Sequence, residues 1–88
     1  MNTEQIRDWL TKNVFDPLRG NGNLEITLRA GNIHDVLGLD NRYPMVCSAC
    51  RTVHEHTEGV LMIEERPGPD VNTRPPIGAN VWYTYIIR

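Results

Sequence analysis

The chain is short of lysine, phenylalanine and cysteine, with one, one and two of them in 88 residues, and it has no surplus of positive charge: nine Lys plus Arg stand against eleven Asp plus Glu, a net −2 at pH 7. Each shortage excludes something. Two cysteines, Cys47 and Cys50, make no disulfide scaffold, so a reducing, cytoplasmic setting is expected. No apolar run nears the roughly 18 residues of a membrane span. The opening MNTEQIRDWL has neither the basic nor the apolar region of a secretory signal, and no membrane partner is expected. There is no repeat, no low-complexity tract and no glycine-rich phosphate loop. No nucleophile stands at a telling distance from a histidine, and Glu64 and Glu65 point to opposite faces of a strand. A core this small leaves little room for a deep substrate cavity, so neither enzymatic activity nor a cofactor is expected. The negative balance also argues against a diffuse basic field for nucleic acid. Eight of the nine basic residues are arginine, however, which favours oriented, bidentate contacts and leaves a local patch open.

What is present reads as one α+β domain spanning residues 1–88. Asn2 and Gln5 are spaced for a capping box ahead of a support helix over about 3–14, with Ile6, Trp9, Leu10 and Val14 as its apolar stripe. Asp16-Pro17 and Gly20 to Asn23 break it. Strict alternation from Leu24 to Ala30 predicts a half-buried strand over 24–30. Asn32 can cap a second helix carrying Ile33, Val36 and Leu37, which Gly38 ends in the left-handed conformation with Leu39 folding back. Asp40 or Asn41 can cap a third helix, with Pro44 in its first turn and Val46, Cys50 and Val53 on its buried side. Val60 to Arg66 and Val81 to Arg88 predict a hairpin over 60–88 around a long Pro/Gly loop. Val81, Tyr83, Tyr85 and Ile87 share one face of its last strand; Trp82, Thr84 and Ile86 share the other.

The resulting order, α-β-α-α-β-β with a three-stranded antiparallel sheet, resembles that of winged helix-turn-helix domains. The segment Ile33-His34-Asp35-Val36-Leu37-Gly38-Leu39, a polar turn, then Val46-Cys47-Ser48-Ala49-Cys50 is similar to the motif's apolar pair, turn glycine and second helix, which places the helix-turn-helix over about 32–56. The sequence departs from the pattern at His34, where a small residue is usual, and in a turn about two residues longer than the compact form. Small winged-helix modules attached to bacterial restriction or mobile-element proteins are also similar in kind, without a motif that singles them out. The resemblance implies a sequence-reading protein for double-stranded DNA, a regulator or the target-reading half of a larger assembly. Its third helix would lie in the major groove and its hairpin loop on the backbone. The positions it implies are Asn41, Arg42, Tyr43, Met45, Ser48, Arg51 and Thr52 on the helix, with Arg66, Asn72, Thr73 and Arg74 on the loop.

Three features pull elsewhere. Glu55, Glu58, Glu64, Glu65 and Asp70 flank the same region and would repel phosphate unless turned away. Cys47, Cys50, His54 and His56 are four metal-capable side chains in ten residues. On a continuous helix, though, Cys47 and His54 stand ~10 Å apart along the axis, so packing is the simpler role for the cysteines. If Tyr83 and Tyr85 face the core, the Trp82–Thr84–Ile86 face needs cover, from the helix carrying Trp9, from a second copy in a homodimer, or from a protein partner; in the opposite registry Trp82 is buried and the tyrosine face needs it. Cover by a protein partner defines the alternative function, a protein–protein interaction module that uses its apolar strand face.

Overall fold

The computed structural model describes residues 1–88. The first helix, α1 (Thr3–Leu10), starts on the expected capping box: Gln5 N–H donates to Asn2 Oδ1 and Asn2 N–H to Gln5 Oε1, both at 2.8 Å. It does not run on regularly to residue 14. A π-helical turn, Thr11–Phe15, and a 3-10 turn, Asp16–Leu18, follow. The wider π turn delays the apolar stripe by one position, so Phe15 is buried where Val14 was expected, and it meets the Tyr85 ring edge-on at 5.0 Å.

The first strand, β1 (Leu24–Arg29), passes directly into α2 (Ala30–Val36). Asn32 is therefore inside α2 and does not cap it; Arg29 holds the cap position, without a side-chain hydrogen bond. Ile33 is buried and Leu37 packs against the core, but Val36 is 70% exposed. His34 takes the inward place. After Gly38 (φ 63°) and Asn41 (φ 51°), the long helix α3 (Tyr43–His56) begins with Arg42, neither Asp40 nor Asn41, at its cap position and Pro44 in its first turn.

The hairpin strands are β2 (Val60–Pro67) and β3 (Val81–Ile87), and β3 lies in the middle of a three-stranded antiparallel sheet ordered β1-β3-β2. The central position explains its composition: Val81, Tyr83, Tyr85 and Ile87 are fully buried beneath the helices. An irregularity between Met62 and Glu64 inserts Ile63 as an extra residue in β2. Trp9, offered above as cover for Trp82, packs on the main core, so the outer face of the sheet lacks that cover. No helix is long and apolar enough to cross a membrane.

Candidate nucleic-acid interface

The turn between α2 and α3 is pinned by His34. Its ring is 5% exposed, its Nε2 accepts the Arg42 N–H at 3.1 Å, and it stacks on Tyr43 with centroids 4.1 Å apart and planes 16° from parallel. An aromatic ring fits where a small residue was expected because the longer turn passes around it and supplies a donor. Tyr43 is thereby committed to the turn and is only half exposed. His34 was the departure from the motif, and it proves to be the residue that sets the entry of α3.

Asn41, Arg42 and Ser48 come together, with Thr3, Pro44 and Met45, around an open groove of about 350 Å³ between the N-terminal ends of α1 and α3. Arg42 is exposed and takes part in no ion pair. No side chain caps α3, and with Pro44 lacking an N–H and the Val46 N–H bonded to the Arg42 carbonyl, the N–H groups of Tyr43 and Met45 are left to add their partial positive charge to that of Arg42. Thr3 arrives from α1, and nothing in the local pattern of α3 could have announced it.

The C-terminal half of α3 is otherwise occupied. Arg51 Nε donates to Glu65 Oε2 at 2.8 Å and Arg51 Nη2 to the Pro76 carbonyl at 3.0 Å, which ties α3 to β2 and the hairpin loop. Thr52 Oγ1 donates to the Ser48 carbonyl at 2.7 Å and receives Arg7 Nη1 at 3.2 Å. Arg7 is a half-buried strut between the two helices. Arg66 lies on the outer face of the sheet, its guanidinium 4.8 Å from the Trp82 ring centroid and 3.8 Å from Glu64. Arg74 is exposed on the rim of a second hollow, of about 630 Å³, beside Asn72 and Thr73, with Arg51 and Glu65 also in its wall. The set named from sequence thus divides among the α3 groove, the hollow under the loop and the far side of the sheet, with Tyr43 held at the turn and Thr52 between α3 and α1.

The loop over residues 68–80 does not project freely. The Ala79 carbonyl accepts Gly31 N–H at 2.9 Å, Asn80 Oδ1 accepts both Arg29 Nε and Nη2, and Asn80 Nδ2 donates to Asp70 at 3.0 Å. Arg74 is carried at the outer bend of a loop held at its base.

Cys47 and Cys50 are both fully buried. The Cys47 thiol faces the Gly78 carbonyl at 3.5 Å, and burial, with Cys47 as its neighbour, pushes the Cys50 thiol up to about 12. His54 is half-buried with an unpartnered Nδ1, while His56 is exposed. No three His, Cys, Asp or Glu side chains converge as a metal-binding group would require.

Compared with protein-family models, curated proteins and solved structures, the chain gives no significant match to any of the three.

Proposed function

We propose that this chain is a winged-helix module that reads double-stranded DNA and has no catalytic role, serving in the cytoplasm as a regulator or as the target-reading part of a larger assembly. The observation that carries the reading is the unpaired Arg42, grouped with Asn41 and Ser48 at the uncapped N-terminal end of α3. In helix-turn-helix recognition it is this end of the helix that contacts base edges. Arg42 suits guanine and Asn41 adenine, while Ser48 and the free N–H groups suit phosphate. The acidic residues fall outside the groove: Glu65 is neutralised by Arg51, Glu64 lies on the outer sheet face, and Asp70 is bound to Asn80. Arg74 provides a second, outlying contact to the backbone.

Fluorescence anisotropy with a duplex pool at several salt concentrations tests this. Arg42→Ala is expected to weaken binding about tenfold and to reduce the salt slope by about one unit, and Arg74→Ala to act more weakly in the same sense. Arg51→Ala is expected to lower folding stability while leaving the slope unchanged. Failure of the wild-type chain to bind duplex at low salt would sink the proposal.

One observation favours the alternative, a protein-interaction module. Leu61 and Ile63 are 52% and 51% exposed, next to Trp82 and Ile86 on the sheet face that no helix covers.

A further inference from the structure

The outer face of the sheet carries a charge pattern that fits a copy of itself. Its side chains stand in three cross-strand rows: Glu25–Ile86–Leu61, Thr27–Thr84–Glu64 and Arg29–Trp82–Arg66. The hydroxyls of Thr27 and Thr84 meet at 3.0 Å in the middle row. Trp82, Ile86, Leu61 and the inserted Ile63 neither belong to the core nor pack against it. One end of the face carries Arg29 and Arg66, and the other carries Glu25. Glu25 is exposed and forms no ion pair. Arg29 is held in place by neutral acceptors, Asn80 Oδ1 at 2.8 and 3.0 Å and Asn32 Oδ1 at 2.9 Å, so its charge has no carboxylate partner. Four residues apart along one strand, Glu25 and Arg29 are separated by ~13 Å and cannot pair within a chain.

We infer that this face docks a second copy of the chain, about a two-fold axis that lies between the two sheets and crosses the strands at the Thr27–Thr84–Glu64 row. That operation sets Glu25 opposite the partner's Arg29 twice over, and Trp82 against the partner's Ile86. Leu61 meets the aliphatic stem of the partner's Arg66. A two-fold axis along the strands instead opposes Arg29 to the partner's Arg66, so the charges select one symmetry. The single like-charge pairing is Glu64 against the partner's Glu64, at the rim, where Arg66 at 3.8 Å offsets it in part. Three strands cover a footprint of roughly 300 Å² per copy, well under that of a stable complex, so the dimer is weak, with a dissociation constant on the order of 100 μM. The surface lies on the opposite side of the sheet from α1 and α3, and the inference stands whether or not α3 reads DNA.

The test is sedimentation velocity of the full chain across a concentration series that brackets that constant, at low and high salt. Wild type is expected to show a monomer–dimer equilibrium that salt weakens. Glu25→Arg is expected to weaken it about tenfold, and adding Arg29→Glu to restore it largely, each variant checked for native circular dichroism. Because Arg29 also holds the loop base, Glu64→Gln serves as an independent variant: it removes the repulsion on the axis and is expected to tighten the dimer about threefold. A chain that stays monomeric through the series, or a dimer indifferent to both Glu25→Arg and Glu64→Gln, overturns the inference.

Discussion

His34 shows how one side chain can settle a local question that a motif leaves open. Buried and stacked on Tyr43, it replaces the usual small residue and repays the volume by accepting the Arg42 N–H. Its Nε2 must be unprotonated to accept, so the ring proton sits on Nδ1, toward Asp35 at 4.0 Å. His34→Ala removes both the ring stack and the acceptor and leaves the N–H without a protein partner. The expected loss is about 2 kcal/mol in urea unfolding. His34→Gln, which can still accept, is expected to lose less. Equal losses for the two variants would show that the hydrogen bond contributes little.

At the scale of elements, the helices differ in how far their own sequences explain them. The N-terminus of α1 is locally complete, since Asn2 and Gln5 satisfy each other's backbone N–H groups. Asn2→Ala is therefore expected to cost about 1 kcal/mol of stability, read from a thermal melt. Helix α3 has no such cap and depends on its neighbours: His34 at one end, Arg7 and Glu65 along its flank. The 2.8 Å bond between the Thr11 and Thr57 hydroxyls links the far end of α3 to the turn after α1. This is why its free groups are confined to the first turn. Leaving that turn uncapped costs some stability in the isolated domain.

Considered whole, the molecule measures 35 × 26 × 19 Å, and a duplex turn is ~34 Å. If α3 reads duplex as proposed, a monomer would present one helix to one stretch of groove, and a paired site would take a second copy. The core also makes the folded state sensitive to alkali. Burial raises the Cys50 thiol from its ordinary value of about 9 to about 12, and raises the Tyr83 and Tyr85 phenols above theirs of about 10. The unfolded chain therefore releases these protons first. Their contribution is fully present below about pH 9 and is lost as pH rises toward and beyond 12, because the folded state then binds more protons than the unfolded one. Urea midpoints measured from pH 7 to 11 are expected to be flat below about pH 9 and to fall steadily above it. A flat profile throughout would show that these groups titrate normally in the folded chain.

By itself the sequence determined the identity and order of the six main elements, the capping box and the Gly38 turn; it grouped Val81, Tyr83, Tyr85 and Ile87 on one face of β3 but left open which face turns inward. These follow from neighbours within a few positions, where periodicity, caps and glycine conformation act. Only the tertiary structure decided which polar groups remain free. Arg51 looked like a reader of bases until Glu65 and Pro76, 14 and 25 positions away, engaged it. Thr52 was taken up by Arg7, 45 positions earlier, and Arg66 was carried to the far side of the sheet by the register of β2 on β3. The slip from Val14 to Phe15 accompanies the π turn and sets Phe15 against Tyr85, 70 positions away. Local pattern fixes which face of an element is apolar, whereas a charged side chain's partner depends on which distant segment folding brings within hydrogen-bond reach.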